Sequence, residues 1–580
     1  MKGKPLFLRP LAAVASGFGM AVLFPPFGLS QLIWIVLLPL LFALWSLDEE
    51  KRKRKAFGLG FLTGLAFFLP NLAWLRTVSD AGWAALSMYL ALFPAVWALF
   101  VATWGNPWRG EEKGLFHVPR HALACALVWT GLEWLRGWLF TGFGWNTLGT
   151  AFHESLVFAQ GADLLGAIGL SILPVFVQAT LLQVFVRRVS QFHSGGMRRR
   201  IALGSVVLTM VAAYGYGMWR MISALKVDSI RLNALLVQLN IPQEAARQLW
   251  DATEVHLGYE DETLEALGVV DGETVHSLSS KGDLAPKPDW VLWPETALTG
   301  RILRTDDGDW GTAQENWNTL DRIRQSGNFT LMLGLNEMEA EREGDAYLMK
   351  RNARVWNSLA VMSADGSLQT FRKHHLVAFG EYIPLVDKLP FLAKIYEQQS
   401  GTKYGGAFSI GESLDPLPVA IGDETVGVIP SVCFEDTVPR LLRKFVRSGP
   451  QIIVNVTNDG WFKESPGAAQ HFANARFRAI ELRRPMIRCA NTGVSAAITA
   501  TGSTVHPDGG RHQELRDDSG SHFTRGHLLA ELDIPKNPPT TLYAIIGDWG
   551  VIGLAVVGVL LGGIPALRER KDESVPSSPS

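Results

Sequence analysis

A glutamate, a lysine and a cysteine sit in this sequence where short apolar runs end. Glu295 follows Val291–Trp293, Lys373 follows Leu368–Phe371, and Cys433 follows Val426–Val432. A thiolate is a good nucleophile toward an acyl carbon, provided a base takes the thiol proton and a fixed cation holds the developing oxyanion. Glutamate can be that base and lysine that cation, so the chemistry needs no histidine. Taken singly, each residue has an ordinary explanation. A Glu after a strand is usually solvated, a Lys in a basic stretch is usually surface charge, and a lone Cys is more often a small buried hydrophobe. His374 and His375 are adjacent, and neighbouring side chains on an extended segment point opposite ways. With no matching partners they are not expected to hold a metal. The cysteines are Cys125, Cys433 and Cys489, an odd and sparse set with neither a disulfide framework nor zinc spacing.

The elements that must position these groups lie between about residues 227 and 538. Asp289–Trp293, stopped by Pro294, reads as a buried strand, and so do Phe329–Leu335, Thr425–Ile429 and Gln451–Val456. A helix is predicted after Pro466, where Ala468, Phe472, Ala475, Ala479 and Leu482 step by four and three. Asp261–Ala285 and Thr501–Ser521 read as polar insertions or loops. Strands alternating with amphipathic stretches indicate an α/β fold, in which catalytic groups collect at strand ends.

The flanking sequence is of another kind. Hydrophobic residues make up 48% of the 580, charged residues 19%, and there are 20 tryptophans. Apolar runs recur at Leu11–Phe24, Leu32–Trp45, Phe57–Leu75, Trp83–Trp104, Ala122–Phe140, Leu164–Val186 and Ile201–Met221, with one more at Tyr543–Leu567. Most approach the ~20 residues that span hydrocarbon; the first two are short and also fit a re-entrant hairpin around Pro25-Pro26. Every second loop is basic: Lys2, Lys4 and Arg9; Lys51–Lys55; Arg109, Lys113 and Arg120; Arg187, Arg188 and Arg198–Arg200; then Arg568, Arg570 and Lys571. Basic loops mark the cytoplasmic side. The alternation therefore predicts both termini inside and the polar domain outside the cytoplasm, so that Gly405–Leu414 and Lys51–Lys55 face opposite sides. The expected organisation is a membrane domain over 1–226, a catalytic domain over 227–538, a transmembrane helix over 539–567 and a polar cytoplasmic tail over 568–580. Glu133 and Arg136 share a helix face at i and i+3. Arg136 either snorkels to the outer interface or turns into the bundle. The formal net charge of -1 implies no polyanion partner.

Sequence context raises the weight of these residues. Trp-Pro-Glu295, Arg372-Lys373-His-His-Leu-Val-Ala-Phe-Gly-Glu381, Cys433-Phe-Glu435 and Thr457-Asn-Asp-Gly-Trp461 resemble the nitrilase (carbon–nitrogen hydrolase) superfamily, in that family's order of Glu, Lys, Cys. The membrane frame, Arg136–Trp145, Gln238–Gln243 with Trp250, and Gln470–Gly493 resemble its membrane branch, the bacterial apolipoprotein N-acyltransferases. The resemblance implies an αββα sandwich beside a multi-span α-helical membrane domain in the cell inner membrane, with catalysis on the periplasmic side. It implies Glu295 as general base, Lys373 as oxyanion stabiliser, Cys433 as nucleophile, Glu381 as support and Glu435 as a positioning group. Trp250, Phe379 and Trp461 match positions that line or gate a lipid entrance; Phe434 stands beside them where many members carry Tyr. The partners implied are a phospholipid acyl donor, a diacylated lipoprotein acceptor and the membrane, with no nucleic acid, metal or cofactor. A membrane-tethered amidase would use the same triad, although it would need at most one anchor. A transporter with a decayed sensor domain fits poorly with an intact triad. Replacing Lys373 by Ala is expected to abolish turnover and spare the fold.

Overall fold

The computed structural model describes residues 7–108, 114–186, 196–244, 247–270, 273–274, 287–384, 386, 388–400, 406–506 and 510–573. The basic residues Lys2, Lys4, Arg109, Lys113, Arg187 and Arg188, Gly405, most of 271–286 and the tail 574–580 lie outside the described residues. The chain divides into two units, Met1–Ser223 with Thr541–Ser580, and Ala224–Thr540.

Helices of the first unit coincide with the apolar runs: Leu8–Ala21, Leu38–Trp45, Arg52–Asn71, Asp80–Ala102, His117–Arg136, Ile172–Val186, Gly196–Ala224 and Trp549–Glu573. Among the described residues, two are long and apolar enough to cross a membrane, Asp80–Ala102 and Gly196–Ala224. A third candidate is bent by 69° between Ala162–Gly169 and Ile172–Val186. The continuous span expected over Leu164–Val186 is thus broken after Gly169, and within the first segment Gly166 takes a φ of +75° that only glycine adopts without strain. The run Leu32–Trp45 is also divided, into a 3-10 turn Ser30–Trp34 and the helix Leu38–Trp45. Gln178 satisfies the backbone freed there: its Oε1 accepts from the Leu37 amide at 2.7 Å and its Nε2 donates to the Ile33 carbonyl at 2.9 Å. The helix expected to reach Phe140 stops at Arg136, and Phe140 itself has φ +54°. Gly60 lets the helices Arg52–Asn71 and Asp80–Ala102 close up, since a Cβ there would sit 2.5 Å from the Pro94 carbonyl oxygen.

The second unit holds two mixed sheets. Among the described residues the larger has nine strands, with Ser229–Gln238 lying between Gly526–Pro535, antiparallel, and Trp290–Trp293, parallel. Trp290–Trp293 runs parallel to Thr330–Glu343, which continues antiparallel into Val355–Met362 and then Leu368–Arg372. The smaller sheet orders Leu417–Ile421, Glu424–Val432, Gln451–Thr457, Met486–Ala490 and Ala496–Ile498, with its central pairs parallel.

Trp290–Trp293 shows why these strands read as unbroken apolar runs. Val291 and Trp293 enter a core shared with Val255, Tyr259, Leu320 and Ile323 of two helices. On the other face Trp290 Nε1 donates to Ala420 O at 3.0 Å, and Leu292 O accepts from Cys489 Sγ at 3.3 Å. Both faces are buried, one by helices and one by the second sheet, so no alternation survives.

Two expectations are corrected here. The helix Ala252–Ala266 runs into the stretch expected to be a polar insertion from Asp261. It starts at a capping box in which the Glu254 amide donates to Asp251 and the Asp251 amide to Glu254. Two of its acidic residues are partnered rather than solvated: Glu260 accepts from Thr319 and Arg322, and Glu262 faces Arg525 and His527. The helix expected across Ala468–Leu482 is two, Pro466–Ala475 and Phe477–Leu482.

Candidate active site

Pro294 ends the strand Trp290–Trp293 and turns the chain so that Glu295 lies against the neighbouring strand. Gly334 makes room, since a Cβ there would fall 2.4 Å from the Glu295 Cα. Glu295 is 7% exposed. Its Oε1 accepts from Asn357 Nδ2 at 2.7 Å, while Oε2 is buried without a hydrogen-bond partner. Burial pushes this carboxyl above its usual range, against the pull of Lys373. A raised carboxyl with an open oxygen is suited to taking up a proton.

Lys373 follows the strand Leu368–Arg372 and is fixed there by its backbone. Its amide donates to Asn357 O, and its carbonyl accepts from the Gly411 amide, both at 2.9 Å. The side chain is 1% exposed. Its Nζ donates to Glu381 Oε1 at 3.0 Å and lies 3.8 Å from Glu295 Oε1. Burial alone would favour the neutral amine, but Glu381 and Glu295 outweigh it and hold Lys373 above the ordinary lysine range. Glu381 is itself held by the Val377 amide on Oε2 and by Asn357 Nδ2 on Oε1.

Cys433 comes directly after the strand Glu424–Val432, with a left-handed φ of +54° that opens a 3-10 turn, Cys433–Thr437. It is half-buried and free. Burial raises its thiol, Glu295 adds to the rise and Lys373 opposes it. The resting sulfur is therefore a thiol, and attack requires proton transfer to a base. Glu435 clamps the turn to the lysine segment: it accepts from the Val432 amide at 2.8 Å, His374 at 2.7 Å and His375 at 2.9 Å. Its burial pushes its carboxyl up to about 7.

Glu295, Lys373 and Glu381 are thus gathered by direct contact, and Cys433 and Glu295 each shift the other's titration. The aromatic residues are placed differently from one another. Phe379 has φ +63° and is 57% exposed. Phe434 stacks on His375 with ring centroids 6.0 Å apart. Trp461 lies, partly exposed, in the 3-10 turn Asp459–Phe462. Trp250 packs against the helix-covered core. His374 Nε2 pairs with Ser413 O instead of joining His375, and among the described residues no His/Cys/Asp/Glu group could hold a metal.

Sequence reasoning missed two features. Asn357 bridges Glu295 and Glu381, but an Asn within the apolar strand Val355–Met362 carried no signal of its own. Below Cys433, His471 sits between Asp436 Oδ1 at 2.8 Å and Asp459 Oδ1 at 2.7 Å, with Arg488 Nη2 3.1 Å from Asp459 Oδ2. All four side chains are fully buried. Burial disfavours charge on His471, yet the two aspartates outweigh it and raise the imidazole to about 9. Arg488 inside the otherwise apolar strand Met486–Ala490 was the readable hint.

Comparison with known proteins places both units. Residues 16–180 match the family model described as the apolipoprotein N-acyltransferase N-terminal domain, and residues 284–518 match that of carbon–nitrogen hydrolase. A relative from Geobacter metallireducens named apolipoprotein N-acyltransferase is 32% identical over 504 residues, covering 85% of each chain. Relatives of the same name from Agrobacterium fabrum and Rhizobium rhizogenes are each 29% identical, over 86% and 94% of this chain and 87% and 96% of their own.

Proposed function

This chain belongs to the apolipoprotein N-acyltransferase family, and on that premise we propose how it works as an acyltransferase. It takes an acyl chain from a membrane phospholipid onto Cys433 as a thioester and passes it to the N-terminal amine of a diacylglyceryl-cysteine lipoprotein. The carrying observation is the likeness to a named N-acyltransferase across 504 residues, which takes in the helical unit as well as the hydrolase-like one.

Glu295 takes the thiol proton as Cys433 sulfur attacks the ester carbonyl. Lys373 Nζ donates to the oxyanion that forms, a contribution of ~10²–10³ in rate for one such donor. The carbonyl re-forms, the C–O bond to the glycerol backbone breaks, and Glu295 returns its proton to the leaving lysophospholipid alkoxide. The lipoprotein amine then attacks the thioester, Glu295 accepts an amine proton, and the sulfur leaves and is reprotonated. Glu381 and Asn357 hold Lys373 and Glu295 in register, and Glu435 ties the cysteine turn to the lysine segment. Phe379, Phe434, Trp461 and Trp250 line or gate the entrance and keep water from the thioester.

The membrane frame follows from the same reading: about seven spans over 1–226, a helix over 539–567, a cytoplasmic tail, and an αββα catalytic domain on the periplasmic side of the cell inner membrane. Both substrates are lipid-anchored, which gives a reason for spans on either side of the catalytic domain in sequence. The test incubates the purified full chain with phosphatidylethanolamine and a diacylated lipopeptide bearing a free N-terminal amine. A triacylated product that disappears in Cys433→Ala supports the proposal. Release of free fatty acid with no triacylated product would replace transfer by hydrolysis.

A further inference from the structure

The ionic group beneath Cys433 has a geometry that fixes the charge on His471. Its Nε2 lies 2.8 Å from Asp436 Oδ1 and its Nδ1 2.7 Å from Asp459 Oδ1. A neutral imidazole carries one N–H and would aim its other lone pair straight at a carboxylate oxygen. Both contacts have the length of donated hydrogen bonds, so both ring nitrogens carry protons. Arg488 is the second cation. Its Nη2 lies 3.1 Å from Asp459 Oδ2 and 3.0 Å from His471 Nδ1, and its Nε lies 3.4 Å from Asp436 Oδ2. The Phe462 ring meets the imidazole edge-on, with centroids 6.2 Å apart. Two cations thus balance two carboxylates. Stability alone does not call for such a cluster, because apolar packing of the same volume commonly serves as well.

The cluster reaches the nucleophile by two routes. Asp436 belongs to the 3-10 turn that Cys433 opens, and Asp459 opens the turn that carries Trp461. His471 therefore pins these two turns to each other. The electrostatic route runs through Thr457, whose hydroxyl donates to Asp459 Oδ1 at 3.4 Å and also favours the ionised sulfur of Cys433 by a hydrogen bond. Asp459 itself pushes the Cys433 thiol up. A thiolate forming here meets a neutral cluster while His471 is protonated. It meets one net negative charge when His471 is not, in surroundings where buried charges couple strongly.

We infer that the His471 cation is a positioning residue for the nucleophile: it locks the Cys433 turn to the Trp461 turn and cancels the aspartate charge beneath the sulfur while the thiolate forms. The role rests on the acyl-transfer reading only in taking Cys433 as nucleophile, and its test needs no lipid. Purified full chain in detergent is treated with iodoacetamide from about pH 7 to about pH 10.5, and alkylation of Cys433 is timed by mass, with the buried Cys125 and Cys489 as internal references. The parent should react about tenfold faster than His471→Gln at neutral pH, the scale on which outer groups tune a site. That ratio should fall toward one above about pH 9, where the parent imidazolium loses its proton. Pairing His471→Gln with Asp436→Asn removes one charge of each sign and should recover most of the lost rate. If the single variant does not fold, the pair carries the test: the parent-to-pair ratio should drop about tenfold as pH passes 9. A parent-to-variant ratio that is flat with pH, as a purely structural histidine gives, overturns the inference. So does a paired variant that folds yet reacts no faster than His471→Gln. Failure of acyl transfer with the expected alkylation profile would count against the acyl-transfer reading alone.

Discussion

Lys373 faces Glu381 at 3.0 Å and Glu295 at 3.8 Å with 1% of its surface exposed. Lys373→Ala would leave two carboxylates buried and uncompensated, a loss of ~3–5 kcal/mol for a broken buried pair. The expectation that this variant spares the fold therefore does not stand. Lys373→Ala should melt well below the parent and slow acyl-enzyme formation by ~10²–10³. Lys373→Met combined with Glu381→Gln should recover much of the melting temperature and none of the rate, which separates the two roles. Near-normal transfer by either variant would make Lys373 a structural lysine only. Asn357→Ala removes the donor shared by Glu295 and Glu381; a loss of ~10–100-fold in acylation rate is expected, as for outer groups that orient a site. Single-turnover rates comparable to the parent would remove Asn357 from the machinery. At this scale the placement of Glu295, Lys373 and Cys433 just past strands was legible, and the motifs around them singled them out from ordinary strand-end residues. Asn357 was not, because its importance lies in two contacts that only the folded sheet creates.

Elements meet below the cysteine turn, where the 3-10 turn at Cys433, the turn at Asp459, the helix Pro466–Ala475 and the strand Met486–Ala490 supply Asp436, Asp459, His471 and Arg488. The folded imidazole at about 9 lies above the unfolded value of about 6.5. Its charge therefore stabilises the fold fully below about pH 6.5, and that contribution is lost as pH rises through about 9. Glu435, pushed up to about 7, acts in a lower window: it weakens the fold between about pH 4.3 and 7 and contributes no further slope above that. The melting temperature should fall between pH 7 and 9.5, and His471→Gln should flatten the fall while lowering the plateau. A slope unchanged in His471→Gln would mean that the histidine does not exchange its proton in that window, contradicting this account. Strands were readable from their apolar runs. The helix Ala252–Ala266 was missed at its second half because Glu262 looks like a solvated loop acid until Arg525 and His527, distant in sequence, are brought to it.

For the whole molecule, apolar runs located the helices of the first unit but not their breaks, since the Ile35–Leu37 interruption is answered by Gln178 from a distant helix and the kink at Gly166 sits inside an unbroken apolar run. Sidedness rests on loop charge alone. In a Cys433→Ala background, a cysteine at Lys53 should react with impermeant reagent only after cells are opened, whereas one at the exposed Glu412 should react in intact cells. Labelling of both from one side would overturn the topology. The central claim is that Cys433 carries the acyl group between two lipid substrates, and it is tested most directly by exposing the purified full chain to phospholipid alone. The protein mass should rise by one acyl group, mapped to Cys433 and not to Cys489, whose sulfur is buried between the sheets against Leu292. A diacylated lipopeptide added afterwards should discharge the adduct into triacylated product, as a ping-pong scheme requires. An adduct that forms only when both substrates are present, or one that maps to Cys489, would contradict the account.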